Sequence, residues 1–422
     1  MRNFLVINLL IAVLLLPAIS SAEMLLIPMD EAQSNHLKAY GVVFNCLTRN
    51  QQAEWILNYR YGSFLIKDTD NNRDLCLIRG VHYDVVSNSQ AADIYRIVEA
   101  ENMERVLLEK EPKIVVYAPP SHQPWDDAVR LALEYAEIDY DLVWDKEVLE
   151  GRLEDYDWLH LHHEDFSGQY GKFYAAFGRE LWYQQDVAAN EAMARSLGYN
   201  KVSECKKAVA REIKEYVLRG GFLFAMCSAA ETLDMALAAH STDIVPSEFD
   251  GDPPDPDCVS KLDFSETIAF TDFIPDFNPL AYRRSNIDTY PARIERFLMP
   301  DDDIFYLFEF SAKLDPVPTM LVQNHMPVVN GFMGQTTALK KSLLKKYVIV
   351  LGQPLDYDEV RYIHGNLGKG TFTFYSGHDP EDYQHRIGDP PTDLSLHKYS
   401  PGYRLILNNI LFPAARKKER KT

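Results

Sequence analysis

The stretch that decides the fold spans residues 220–234 and reads GGFLFAMCSAAETLD. Its unbroken apolar run, Phe222 to Met226, is typical of a strand buried on both faces, as in a parallel sheet. From Ser228 onward the apolar residues recur with a helical period. Cys227 is therefore expected where a buried strand turns into a helix, and a helix N-terminus favours a thiolate. The alternative interpretation is a small, buried and inert cysteine in a tight turn.

Strand and helix patterns alternate on both sides of this stretch. Strands are predicted at residues 114–117, 140–144, 158–162, 348–351 and 371–375, and helices at residues 124–136, 179–197, 202–219 and 403–411. The alternation predicts an α/β fold with a doubly wound, mainly parallel sheet over residues 111–415. Residues 240–325 break the alternation, and we interpret them as an inserted, β-rich segment with strands at 293–298, 304–310 and 320–323.

Residues 23–110 are predicted to form an N-terminal α/β unit, with its boundary in the polar segment at residues 109–113. Its predicted strands are residues 24–28, 55–59 and 63–66, and its predicted helices are residues 35–47, 89–100 and 102–109.

The two ends of the chain have their own patterns. Arg2, an apolar run and small residues up to Ala22 predict that residues 1–22 are a cleaved signal peptide, so we expect a secreted or periplasmic protein. No later stretch approaches about 18 apolar residues, so no membrane span is predicted after cleavage. The formal charge of −19 argues against nucleic acid as a partner, and residues 416–422 form a basic tail. The sequence contains no signal for an oligomeric state.

His378 follows the predicted strand at residues 371–375, with Asp379 and Glu381 close behind it. A thiol, an imidazole and a carboxylate form the nucleophile, base and orienting group of thiol hydrolases. Because ligands bind at the carboxyl ends of parallel strands, we expect Cys227 and His378 to share a cleft. The alternative is a loop histidine that is merely hydrogen-bonded.

Residues 160–165 read HLHHED and lie at the end of another predicted strand. Strand alternation would place His160 and His162 on one face and His163 on the other, so we predict no metal site and no cofactor. Instead, His162, His163 and Glu164 are expected to line the cleft as substrate-binding residues. Ser228 is expected to bind substrate through its backbone N–H, as an oxyanion donor. The acidic loop at residues 250–257 offers oxygen ligands for calcium but lacks the EF-hand order.

The elbow Ala225-Met226-Cys227-Ser228-Ala229 and the segment Gly377-His378-Asp379-Pro380-Glu381 resemble the class I glutamine amidotransferase-like superfamily, which has a flavodoxin-like fold. The elbow is similar to the intracellular protease and deglycase-like branch, and the later segment to the trehalose-utilisation branch. The resemblance implies that Cys227 is a nucleophile and His378 its base. The usual carboxylate position falls on Pro380, so Glu381 or Asp379 would take that role.

Several longer strings resemble secreted bacterial proteins labelled asparagine synthetase B; they are residues 26–30, 36–41, 158–166 and 388–394. A true asparagine synthetase of that class needs a nucleophilic cysteine at the N-terminus and a Ser-Gly-Gly-x-Asp-Ser loop. The chain predicted after signal cleavage begins at Glu23, and its sequence contains no such loop. We therefore expect a cysteine-dependent hydrolase of an amide or related acyl bond in a small molecule. The alternative is a non-catalytic periplasmic binding or scaffold protein with an aromatic-lined cleft for a sugar-related ligand; Trp125, Trp158, Trp182, Tyr170 and Tyr174 are the candidate lining residues.

Overall fold

The computed structural model describes residues 23–120, 127–170, 173–289, 304–330, 338–382 and 389–416. The predicted signal peptide, the strand predicted at 293–298, Trp125 and nearly all of the basic tail lie outside these residues.

The N-terminal region has a sheet of its own. Within residues 23–120 the strands are β1 (Met24–Ile27), β2 (Ala53–Leu57), β3 (Ser63–Lys67), β4 (Asp84–Val86) and β5 (Glu104–Leu108), and the helices are α1 (His36–Thr48), α2 (Asp70–Arg79) and α3 (Asn88–Ala100). The strands pair antiparallel in the order β4-β1-β3-β2-β5. The helix predicted at 102–109 is wrong. Val106 and Leu108 alternate inward along β5, and the backbone of β5 pairs with β2.

Nine strands of the described chain form a larger, mixed sheet in the order β11-β10-β13-β15-β16-β9-β8-β6-β7. The strands that follow β5 are β6 (Ile114–Tyr117), β7 (Asp141–Val143), β8 (Trp158–Leu161), β9 (Phe222–Met226), β10 (Ile304–Leu307), β11 (Val328–Asn330), β12 (Leu339–Lys340), β13 (Ile349–Gln353), β14 (Glu359–Val360), β15 (Tyr362–Leu367) and β16 (Gly370–Tyr375). The pairs from β16 to β7 are parallel, and those from β11 to β16 are antiparallel. The α/β class is as predicted, whereas parallel pairing covers half of this sheet rather than most of it.

Helices connect these strands. They are α4 (Ala128–Ala136), α5 (Asp145–Leu149), α6 (Tyr174–Phe177), α7 (Leu181–Ser196), α8 (Val202–Arg219), α9 (Ala229–Ala238), α10 (Ser247–Asp250), α11 (Pro316–Leu321) and α12 (Pro401–Leu411). The strand predicted at 320–323 is wrong, because α11 ends there. Pro316 occupies the first turn of this helix, where its missing N–H costs nothing. In the described part of residues 240–325, β10 is the strand that joins the large sheet.

The central strand β9 is buried from both sides, as its apolar run predicts. Phe224 and Met226 belong to the hydrophobic cluster that includes residues of α1, α4 and α12. Leu223 and Ala225 belong to the cluster that includes residues of α8 and α9. Helices therefore cover both faces of the parallel half of the sheet. Among the described residues, no helix combines the length and the apolar character needed to cross a membrane.

Candidate functional site

Three neighbouring strands bring the predicted site residues to one edge of the large sheet. In the parallel pairs β8–β9 and β16–β9, Leu161 lies beside Ala225 and Tyr375 lies beside Met226. The chain after each strand therefore leaves the sheet at the same edge. His162, Cys227 and the segment that leads to His378 start from this common line.

Cys227 forms a strained elbow between β9 and α9. Its φ of 51° lies in the left-handed region, where a residue with a Cβ costs about 1–2 kcal/mol. The N–H of Cys227 donates to the carbonyl of Gly377, 3.1 Å away, which ties the elbow to the chain after β16. The side chain is 6 % exposed, and its sulfur makes no hydrogen bond to a residue that the structure describes.

Ser228 joins the elbow to the chain after β8. Its hydroxyl donates to the carbonyl of His163 at 2.7 Å, and the N–H of Ala229 donates to the carbonyl of His162 at 3.1 Å. The side chain of Ser228 thus holds the loop in place. Its N–H, the predicted oxyanion donor, lies between the N–H groups of Cys227 and Ala229, which are both bonded to carbonyls.

Three imidazoles converge at this edge. The ring centroids of His162 and His163 are 4.0 Å apart, and those of His378 lie 5.0 Å from His162 and 4.9 Å from His163. One ligand atom of each ring lies within 4.8 Å of those of the other two. The alternation argument against such a cluster does not apply, because β8 ends at Leu161 and the two following histidines are no longer in a strand.

Asp127, which no sequence motif indicates as a site residue, orients two of the histidines. Its Oδ1 lies 3.1 Å from Nδ1 of His162 and 3.2 Å from Nε2 of His160. The other nitrogen of His160 lies 3.2 Å from the carbonyl of Phe224. Burial works to raise the pKa of Asp127, but the electrostatic interactions and hydrogen bonds with His160 and His162 outweigh it and hold the pKa well below its usual range. Burial, aided by His163, lowers the pKa of His162 despite the carboxylate beside it.

A local signal for Asp127 does exist in the sequence. The residue is the N-cap of α4, and its Oδ1 also accepts the N–H groups of Val129 at 2.8 Å and Arg130 at 3.2 Å. An aspartate directly before an apolar helical run is a standard N-cap pattern. The pattern predicts the cap, but it contains no information about the two histidines.

The two predicted orienting carboxylates have other partners. Oδ2 of Asp379 accepts the hydroxyls of Tyr403 at 2.7 Å and Thr392 at 2.8 Å. Glu381 forms an ion pair with His397, with 3.0 Å between Oε2 and Nδ1. The idea that either carboxylate orients His378 stays a prediction.

Glu164 lies beside a buried ion pair. Burial raises the pKa of Glu164 to about 8, although the ammonium of Lys206 works against this shift. Lys206 is 2 % exposed, and its Nζ lies 3.0 Å from each carboxylate oxygen of Asp145 and 2.9 Å from the Tyr117 hydroxyl.

An aromatic cluster is formed by side chains of helices α6 and α7 and of the segments that pack against them. Its members, each within 6.5 Å of another ring centre, are Tyr170, Phe173, Tyr174, Phe177, Trp182, Tyr183, Phe249 and Tyr282. Trp182 is 39 % exposed, so the cluster has an open side. Trp158 is 2 % exposed and stacks on His160, so it belongs to the core.

Two features suggested by the sequence have simple structural accounts. At the acidic loop, Nζ of Lys201 lies within 3.1 Å of carboxylate oxygens of Asp243, Asp250 and Asp252, so an ammonium of the chain itself compensates the negative charge. All five cysteines are free and buried. Burial raises the pKa of the thiol of Cys46 to about 11 and of those of Cys76 and Cys205 to about 12.

Comparison with known proteins gives no functional assignment. No model of a protein family matches the chain, and neither does any curated protein. Among solved structures, a cytoplasmic protein from Salmonella typhimurium aligns with a TM-score of 0.34 and 13 % identity, over 72 % of this chain and 100 % of that chain. A second cytoplasmic protein, from Salmonella typhimurium LT2, aligns with a TM-score of 0.28 and 11 % identity, over 64 % of this chain and 94 % of the other. Similarity at this level carries no argument about activity.

Proposed function

We propose that this protein is a secreted, cysteine-dependent hydrolase of an amide or related acyl bond, with Cys227 as the nucleophile. The observation that carries the proposal is the left-handed backbone of Cys227 at the join of β9 and α9. Strain at a non-glycine residue persists where the surrounding structure enforces it, and such residues cluster at active sites. A sharp strand-to-helix elbow also holds a nucleophile at the N-terminus of a helix.

The proposed chemistry follows from what surrounds the elbow. The Cys227 thiolate attacks the carbonyl carbon, and an imidazole takes the thiol proton and returns it to the leaving amine. Water then cleaves the thioester and regenerates the thiol. His378 is the proposed base, because it follows the neighbouring strand and the N–H of Cys227 is bonded to the adjacent Gly377. The N–H of Ser228 is the proposed oxyanion donor.

We also propose that the larger sheet is an extended version of the class I glutamine amidotransferase-like, doubly wound fold. The parallel pairs from β16 to β7, with helices on both faces, support this view. The antiparallel strands β15, β13, β10 and β11 would then be an extension of one edge.

Alkylation of the intact protein tests the nucleophile. At neutral pH, iodoacetamide should modify Cys227 at least tenfold faster than Cys46, Cys76 or Cys205, whose raised pKa values keep them protonated. Peptide mass spectrometry gives the rate for each site. His378→Gln should slow the modification of Cys227, whereas Cys205→Ser should leave it unchanged. Equal rates at Cys227 and Cys205 would contradict the proposal.

A second experiment detects the acyl-enzyme intermediate of the proposed reaction. An activated ester should leave one acyl group on the wild-type chain, detectable by intact mass, and none on Cys227→Ser. A chain that is alkylated at Cys227 but never acylated by any ester or amide in a panel would have a reactive thiol without hydrolase activity.

The open aromatic cluster favours a second candidate, a non-catalytic binding protein. Trp182 is exposed at 39 % beside other rings, and aromatic faces of this kind bind sugar rings and other flat apolar surfaces. In this case Cys227 would be slow to alkylate. Titration with a panel of mono- and oligosaccharides would then quench the tryptophan fluorescence of the wild type but not that of Trp182→Ala.

A further inference from the structure

The three imidazoles at the sheet edge are spaced for a metal ion. Their ligand atoms lie within 4.8 Å of one another. Three atoms no farther apart than this lie at most about 2.8 Å from a common centre, and zinc–nitrogen bonds are about 2.0–2.1 Å long. Side-chain shifts of less than about 1 Å would therefore bring all three nitrogens to bonding distance.

The hydrogen bond of His162 decides which of its nitrogens is available to an ion. Its Nδ1 lies 3.1 Å from Oδ1 of Asp127, an oxygen that also accepts two N–H groups of α4. The oxygen is an acceptor, so Nδ1 carries the proton and Nε2 carries the lone pair. The ring is 3 % exposed, and Nε2 is buried with no hydrogen-bond partner among the described residues. A buried lone pair in this arrangement is what a metal ion would occupy.

We propose that His162, His163 and His378 bind one divalent transition-metal ion of the zinc type, and that Asp127 positions His162 for it. A carboxylate that accepts the outer N–H of a histidine ligand is a common arrangement around zinc, where it fixes the tautomer and the ring orientation. Imidazole donors select zinc, cobalt, nickel or copper over calcium and magnesium, which prefer oxygen. Three protein ligands leave a fourth position for water or substrate.

The adjacent group of Asp127, His160 and His162 is the support of this site and not a second one. Both nitrogens of His160 face acceptors, the carbonyl of Phe224 and the carboxylate of Asp127. Because both ring nitrogens of His160 already face protein oxygens, neither is directed at an ion. Like His162, it contacts Oδ1 of Asp127, at 3.2 Å.

This inference goes beyond the proposed hydrolase and does not depend on Cys227. An ion on His378 would occupy the lone pair that the thiol needs as its base. Bound zinc should therefore slow the alkylation of Cys227. The two proposals can fail separately, because metal binding and the alkylation rate of the metal-free protein are measured in different experiments.

Titration of the metal-stripped, full-length protein with cobalt and with zinc tests the site. Cobalt should produce visible d–d absorption that saturates at one ion per chain, and zinc should displace it. His163→Ala should weaken binding at least 100-fold. Asp127→Asn should weaken it 10- to 100-fold and keep the one-to-one stoichiometry, as for other carboxylates behind a histidine ligand.

Three controls separate this site from other possibilities. Cys227→Ser should bind the ion as the wild type does, which separates the metal site from the thiol. Asp243→Asn in the acidic cluster and His364→Gln in the core should also leave the affinity unchanged. Circular dichroism confirms that each variant is folded. The proposal is overturned if no saturable binding occurs, or if folded His163→Ala and His162→Ala bind as tightly as the wild type.

Discussion

Nδ1 of His162 lies 3.1 Å from Oδ1 of Asp127, and the same oxygen accepts the N–H groups of Val129 and Arg130. One carboxylate oxygen thus caps helix α4 and orients an imidazole at the edge of the large sheet. The stability of the helix and the geometry of the candidate site are therefore linked through a single side chain.

Asp127→Ala should lower the free energy of unfolding by about 2 kcal/mol or more. The lost N-cap accounts for about 1 kcal/mol, and the buried N–H groups of His160 and His162 lose their acceptor at a further cost of about 1–3 kcal/mol. Asp127→Asn keeps a capping oxygen and should lose less. Urea unfolding followed by circular dichroism measures both. Equal losses in the two variants would show that the cap contributes nothing.

Lys206→Met should be among the most damaging single changes in the core. Lys206 and Asp145 are each buried, and removal of the ammonium leaves a buried carboxylate uncompensated, which costs about 3–5 kcal/mol. The double variant Lys206→Met with Asp145→Asn should recover part of that loss. Lys214→Met on the same helix is the matched control. The side chain of its partner Glu266 is 45 % exposed, and pairs near the surface contribute about 0–1 kcal/mol. A similar loss from both lysines would contradict the role of burial.

The sequence predicts the central part of the fold because that part depends on local patterns. The apolar run of β9 is long and uninterrupted, and the change to a helical period after Cys227 is sharp. The carboxyl ends of neighbouring parallel strands lie at the same edge of a sheet, however far apart the strands are in the sequence. The common edge of Cys227, His162 and His378 could therefore be predicted. The elements that were predicted wrongly, β5 and α11, are 5 and 6 residues long, and their apolar residues fit either period.

The arrangement of the imidazoles could not be read from the sequence for two reasons. The alternation rule holds only inside a strand, and the end of β8 at Leu161 is set by its pairing with β9, which the local pattern does not contain. Asp127 is 33 and 35 residues from the two histidines that it contacts. Its role arises because β6 and β8 are neighbours in the sheet and α4 starts at their common edge.

The stability of the protein should fall in mild acid, in part through His364. The ring is 1 % exposed, and burial lowers its pKa to about 4, although a backbone hydrogen bond with Phe372 works in the opposite direction. The unfolded chain, with a histidine pKa of about 6.5, therefore binds one more proton between about pH 6.5 and 4. Stability is lost as the pH falls through this window, by about 1.4 kcal/mol per pH unit for one proton.

The variant His364→Gln removes the imidazole, and with it the contribution of His364 to the pH dependence of stability. Its unfolding free energy should depend less steeply on pH between 6 and 5, by about 1 kcal/mol per unit, when urea unfolding is measured at each pH. Thr373→Val removes the hydroxyl 3.1 Å from Nδ1 but keeps the imidazole, so its pH dependence should match the wild type. An unchanged slope in His364→Gln would show that the ring is protonated in the folded state.

The backbone strain at Cys227 predicts an unusual order of stabilities for two substitutions. Glycine adopts a φ of 51° without a Cβ clash, so Cys227→Gly should be more stable than Cys227→Ala by about 0.5–1 kcal/mol after the greater chain entropy of glycine is included. Cys205, which is also buried but lies within helix α8, is the matched control. There alanine should be the more stable by about 1 kcal/mol, because glycine is a poor helix former. Urea unfolding measures the difference in stability between the glycine and alanine variants at each cysteine. A difference that favours glycine at Cys227 and alanine at Cys205 would establish that the fold holds the thiol in a strained elbow. Alanine favoured at both would remove the observation on which the proposed nucleophile rests.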